Sequence, residues 1–208
     1  MSVKVWWATL ASADRRLLGL LDQTEEARVA SLLRPADQGR SLLGAALLRL
    51  AVADHLGVEP TEVVVDRTCG RCGGQHGAPR ILGPGSSCPW VSVSHSGLLV
   101  VVAVAPDGPV GVDVQRLSEL SDPDGGQDWA CREALVKAGG SGAAGWTGAE
   151  STADDPGPVE PTGDCRELRP PLPGYVAVLA TPGRAGVEPV VRHWPERNQA
   201  SFEGRLTA

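Results

Sequence analysis

The stretch "LLVVVAVA", residues 98–105, is apolar at every position, and it restricts the fold more than any other feature of the chain. Bounded by Gly97 and Pro106, it reads as a buried β-strand. It is far shorter than the roughly 20 apolar residues that a membrane helix needs. The preceding "WVSVSH" reads as a strand that runs into a polar turn around His95–Gly97. "VKVWWATL" near the start, "EVVVDR", "PVGVDVQRL", "GYVAVLAT" and "PVVRHW" supply further strands.

From Ser12 to Gly57 the periodicity is helical instead. "TEEARVASLL" is expected to start at a Thr24 cap, with Glu25 and Glu26 in its first turn. Pro35 suits the start of a second helix, whose apolar positions include Leu42, Leu43, Ala46, Leu47 and Leu50, and Gly57 ends it. "TCGRCGGQHGAPRIL" is expected to be a tight Gly-rich loop. Residues 139–173, rich in Gly, Ala, Pro and acids without periodicity, are expected to be mobile.

Composition narrows the function classes. The formal net charge of −6 argues against nucleic acid as a partner, which would need a basic face. Met1 leads straight into "SVKVWWATL", so no signal peptide is expected, and no apolar run is long enough for a membrane span. Five cysteines without a secretory signal predict reduced thiols in the cytoplasm rather than a disulfide framework. Cys69 and Cys72 have zinc-knuckle spacing, with His76 and Cys88 as further possible ligands; the reading adopted is a structural turn. The tryptophans Trp6, Trp7, Trp90, Trp129, Trp146 and Trp194 are read as core.

Polar residues inside apolar strands are the candidate functional groups. "SVSHSG" sets Ser94, His95 and Ser96 at a strand end, where His95 serves either as a satisfied strand-end group or as a ligand. In "GVDVQ", Val112 and Val114 share one face, and Asp113 shares the other with Gln115. A carboxylate in a buried strand is costly unless it is paired or metal-bound. Asp113 and Gln115 therefore either present oxygen donors to a hard cation such as Mg²⁺ or mark the solvated face of an edge strand. In "WACREALVKAGG", Glu133 and Lys137 stand one helical turn apart, as a surface ion pair or as part of a site.

In that order, "SVSHSG" at 92–97, "GPVGVDVQ" at 108–115 and "WACREALVKAGG" at 129–140 resemble the motifs of the Sfp-type 4′-phosphopantetheinyl transferases. "CGRCGGQHGAP" at 69–79 and the closing "PGYVAVLA" and "VRHW" add to the likeness. The resemblance implies an α/β (α+β) fold, a pseudo-two-fold pair of similar α/β halves over 1–108 and 109–208, with a shortened second half. It implies transfer of 4′-phosphopantetheine from coenzyme A to a serine of an acyl or peptidyl carrier protein, with release of 3′,5′-ADP. The alternative it leaves is a reduced or repurposed relative that binds or acts on a carrier-bound or coenzyme-A-like ligand.

By the same resemblance, Asp113, Gln115 and Glu133 would hold Mg²⁺, and Glu133, Lys137 and His95 would be catalytic. Arg28, Arg40, Ser94, His95, Arg132 and Lys137 would contact coenzyme A. Four features depart from the family pattern. Gln115 replaces a second carboxylate, Arg132 a lysine and Ala78 a lysine, and only residues 114–128 separate Asp113 from Trp129.

Overall fold

The computed structural model describes residues 2–83, 88–140 and 165–195. The chain has a mixed α/β fold. Its strands are β1 (Val3–Thr9), β2 (Val64–Asp66), β3 (Arg80–Leu82), β4 (Trp90–Ser96), β5 (Leu99–Ala105), β6 (Gly111–Arg116), β7 (Cys165–Leu168), β8 (Tyr175–Ala180) and β9 (Pro189–Trp194). The α-helices are α1 (Gln23–Ser31), α2 (Pro35–Leu56) and α3 (Gly126–Gly140). A four-stranded sheet has the order β4-β5-β1-β9, a three-stranded sheet has the order β6-β8-β7, and β2 and β3 form a separate pair. Within the first sheet β9 lies parallel to β1, while β1–β5 and β4–β5 are antiparallel.

Side-chain alternation sorts these elements into four layers. Val100, Val102 and Val104 of β5 join Trp6 and Ala8 of β1 in a core closed by Leu43, Leu47 and Val52 of α2. Leu99, Val101, Ala103 and Ala105 face the other way. They meet Val112 and Val114 of β6 and Leu179 of β8 between the two sheets. On the outer face of the second sheet, Val178 and Ala180 pack against Ala130, Ala134 and Ala138 of α3. Every residue of β5 is buried because it is covered by a helix on one face and a sheet on the other.

The helix starts follow local chemistry. Asp22, and not Thr24, caps α1: its carboxylate accepts from the Glu25 amide at 2.9 Å, and Glu25 accepts in return from the Asp22 amide at 3.2 Å. Thr24 instead lies inside the helix. Pro35 begins α2, and Gly57 ends it in the left-handed region at φ 71°. Arg49 of α2 is only 2% exposed. Its guanidinium donates to Glu25 at 2.7 Å, to Asp22 at 2.9 Å and to the Val63 carbonyl at 2.6 Å. One buried cation thus fastens α1 and the approach to β2 onto α2.

Several expectations need correction. Arg80–Leu82, expected at the end of a loop, form β3 against β2. His95 is still in β4, and the turn is confined to Gly97 and Leu98. Cys165–Leu168, within the segment expected to lack periodicity, pair with β8, because an edge strand can be held by one neighbour's ladder. Residues 141–164, which include Trp146, lie outside the described residues. Trp129 is 40% exposed, since it sits on the outer face of α3 one turn before Glu133. Cys131 and Cys165 form a disulfide between α3 and β7, against the expectation of reduced thiols throughout, while Cys69, Cys72 and Cys88 are free thiols.

Gly111 lets α3 cross directly over β6. A Cβ there would overlap the Ala134 carbonyl and press on the Ala138 amide at 2.8 Å, both helix backbone. Gly111→Ala is therefore expected to destabilise the fold by about 1–3 kcal/mol or more. Gly139, with open space where its Cβ would stand, is the control: Gly139→Ala should raise stability by about 0.5–1 kcal/mol. Denaturant unfolding of the two variants measures both.

Candidate active site

Ser92, Ser94 and Ser96 lie on the same face of β4, turned toward β6. Their hydroxyls accept hydrogen bonds from the amides of Val112, Val114 and Arg116 at 3.0, 3.3 and 2.9 Å. Two edge strands of different sheets are thereby joined through side chains instead of a backbone ladder. The seam places Asp113 against Ser94, which donates to Asp113 Oδ1 at 2.8 Å. Asp113 is 1% exposed, so its charge needs partners. Lys137 Nζ supplies one at 2.5 Å from Oδ1 and also reaches Ser94 Oγ at 3.0 Å. The Gln115 amide lies 3.1 Å from the other oxygen, Oδ2.

Helix α3 brings the second carboxylate. Glu133 stands one turn before Lys137 on the flank that overhangs Asp113. Partial burial raises its proton affinity above the ordinary carboxylate range, the nearby Asp113 charge raises it further, and Lys137 opposes both. Asp113 and Glu133, two carboxylates that feel each other's charge, are oxygen donors of the kind a hard divalent cation takes, while the Gln115 side chain turns its NH2 group to Asp113. Arg132, half-buried, precedes Glu133 by one residue and so stands about 100° from it around α3.

On the opposite face of β4, His95 meets the start of α2. Arg40 donates to the Gly97 carbonyl at 2.9 Å and also pairs with Asp37. The His95 ring keeps an accessible edge but is crowded elsewhere. That desolvation lowers its pKa first, followed by the positive charges of Arg40, Lys137 and, more weakly, Arg28. Arg67, which sequence reading passed over at the end of "EVVVDR", belongs to the same positive region. Burial and the charge of Arg28 push its pKa down to about 10, so it stays protonated at neutral pH. Its Nε is buried without a hydrogen-bond partner among the described residues. The only signal in the sequence was a cation at a strand end, a common arrangement at surfaces.

Ser94 is committed inward. Its hydroxyl meets Asp113, the Val114 amide and Lys137, so it faces away from the His95 side of the strand. Among the described residues, then, Asp113, Gln115, Glu133 and Lys137 form one group, and His95, Arg28, Arg40 and Arg67 form another nearby. Lys137 acts on both.

The crowding around His95 has a measurable consequence. Its imidazole should titrate below the ordinary 6.5 in an NMR experiment, and Arg40→Gln should move the midpoint upward. Because the unfolded chain takes up this proton more readily, the stability from a neutral His95 is complete above about pH 6.5. It is lost as pH falls from there through the lowered folded value. A midpoint at or above the ordinary value would contradict the positive setting.

No protein-family model matches the chain. Three relatives do align with it. A phosphopantetheinyl transferase of Thraustochytrium sp. is 32% identical over 113 residues, covering 54% of this chain and 37% of the relative. A protein of Synechocystis sp. that carries the name 4′-phosphopantetheinyl transferase is 26% identical over 172 residues, covering 68% of this chain and 66% of its own. An L-aminoadipate-semialdehyde dehydrogenase-phosphopantetheinyl transferase of Xenopus laevis is 32% identical over 95 residues, covering 44% and 30%. The chain thus spans less than two thirds of the length of each relative. The likeness to three separate relatives that carry this name agrees with the mixed α/β fold and with the motif residues gathered around Asp113: the chain is similar to phosphopantetheinyl transferases.

Proposed function

We propose that the chain transfers the 4′-phosphopantetheine group of coenzyme A to a serine of an acyl or peptidyl carrier protein. The observation that carries this reading is the convergence of Asp113, Glu133 and Lys137 beside the positive region at His95. In the proposed reaction the carrier serine Oγ attacks the phosphorus that bears the pantetheine arm. An Oγ–P bond forms, the pyrophosphate P–O bond breaks, and 3′,5′-ADP leaves with the bridging oxygen and its electron pair. The serine proton passes to Glu133, directly or through one water. A carboxylate of raised proton affinity is better matched to that task at neutral pH than an ordinary one.

Phosphoryl transfer is mostly positioning and charge stabilisation, and the remaining residues divide that work. Lys137 contacts the transferring phosphate while remaining anchored at Asp113. Arg28, Arg40, Arg67 and His95 receive the nucleotide phosphates of coenzyme A. Ser94, expected by the resemblance to contact coenzyme A, is assigned a positioning role, because its hydroxyl already orients Asp113 and Lys137. Asp113, Gln115 and Glu133 would hold Mg²⁺, which when bound neutralises charge on the pyrophosphate.

Mass spectrometry of an apo carrier protein incubated with coenzyme A, Mg²⁺ and this protein tests the reading. Modification of the carrier serine is expected, and Glu133→Gln should slow it by about 10²–10⁴-fold, the usual cost of losing a general base. Asp113→Asn should raise the Mg²⁺ requirement, and Gln115→Glu should hold or increase the rate. Carrier modification that continues unchanged in Glu133→Gln would overturn the assignment.

A further inference from the structure

Away from the Asp113 cluster, the loop between β2 and β3 holds a second group of chemically capable side chains. The ligand atoms of Cys69, Cys72 and His76 all lie within 4.8 Å of one another. It is the one such convergence of three His, Cys, Asp or Glu groups among the described residues. The Cys72 sulfur is 2.9 Å from His76 Nε2. A tetrahedral zinc ion, with Zn–S near 2.3 Å and Zn–N near 2.0 Å, separates such ligand atoms by roughly 3.5–3.8 Å. Small side-chain adjustments therefore suffice.

The backbone is shaped around the sulfurs. The Gly73 amide donates to the Cys69 carbonyl at 2.8 Å, and the Cys69 amide donates to the Gly74 carbonyl at 2.8 Å. Gly73 takes the left-handed turn, at φ 73°. The Gly74 amide then points at the Cys72 sulfur at 3.4 Å. An amide aimed at this sulfur stabilises the charge that a soft metal ligand must carry. Cys88 is not part of the group; it packs at the margin of the first core.

We propose that Cys69, Cys72 and His76 form a zinc site that clips the β2–β3 loop shut. Two thiolates and a neutral imidazole select a borderline-soft ion over Mg²⁺ or Ca²⁺. Binding releases the two thiol protons to solvent. Three protein ligands leave the fourth position to water, in keeping with the exposure of Cys72 and His76. Beyond the clip the chain folds back at once: Gly77 donates to the Arg67 carbonyl at 2.8 Å, and a Cβ on Gly77 would stand 3.3 Å from Cys69 Cα. The ion fixes the segment that begins and ends beside Arg67, and it does so whether or not the transferase reading holds.

The test uses the full chain, reduced with a phosphine and freed of metal, titrated with Zn²⁺ against a chromophoric chelator. One Zn²⁺ per chain is expected, and Co²⁺ in its place should give the charge-transfer and ligand-field bands of a thiolate-bound tetrahedral ion. Cys69→Ser, Cys72→Ser and His76→Asn should each weaken binding by more than about 100-fold, beyond the 10–100-fold typical of outer-shell partners. Cys88→Ser should bind as the parent does. Zinc should also slow tryptic cleavage after Arg71, which reports the clip without any assay of transfer. Absence of stoichiometric binding, a Cys69–Cys72 disulfide in its place, or binding indifferent to these substitutions would overturn the proposal.

Discussion

Everything at the candidate site hangs on a side-chain seam. β4 and β6 are edges of separate sheets, and the serines of β4 stand in for the carbonyls that a neighbouring strand would offer. Each hydroxyl answers a β6 amide that the sheet itself leaves unpaired, and leaving such an amide unsatisfied where it is buried would cost roughly 1–3 kcal/mol. The seam also sets the register in which Asp113 meets Ser94. A slip by one residue would turn Asp113 into the apolar space between the sheets and Val112 toward α3.

The charge arrangement follows from that placement. Asp113 is buried at the junction, and the cation that reaches it comes from α3. Gly111 brings α3 so close that Lys137 can span the gap. Glu133, one turn earlier, then has no choice but to face the same carboxylate. Close packing of small residues (Gly111, Ala134 and Ala138) is thus what turns an ordinary i,i+4 pair into a site with opposed charges. On the other face of β4 the same strand delivers His95 to Arg40 and Arg28, so one strand serves two polar regions through its alternation.

Much of this was legible from residues alone. The apolar run at 98–105 marked the central strand, and the Asp113 interruption marked the candidate site, because both are departures from the usual alternation. Pro35 and Gly57 bounded α2 through constraints on φ that no tertiary contact alters. What escaped notice depended on partners distant in sequence. Arg49 reads as one cation in a helix, and its burial rests on Glu25 and Val63. Thr24 and Asp22 are both good caps, and only the reciprocal Glu25 bond decides between them. The Cys131–Cys165 bond joins elements whose adjacency follows from β7 pairing, which four residues cannot announce by periodicity.

The parallel β1–β9 pair carries a consequence for how the chain is made. β1 is synthesised before β9 and every other described strand lies between them in the chain, so one flank of β1 has no strand beside it until those strands have been made. Its other neighbour, β5, arrives midway and can already bury Trp6 and Trp7. Until β9 docks, the main chain of β1 presents unpaired donors and acceptors along an apolar segment, the kind of edge on which nascent chains aggregate. Lys4, the charged residue within β1, breaks that edge and pairs with Asp54 of α2. A single charge that looks incidental in the finished molecule therefore guards the strand during the longest wait in its assembly.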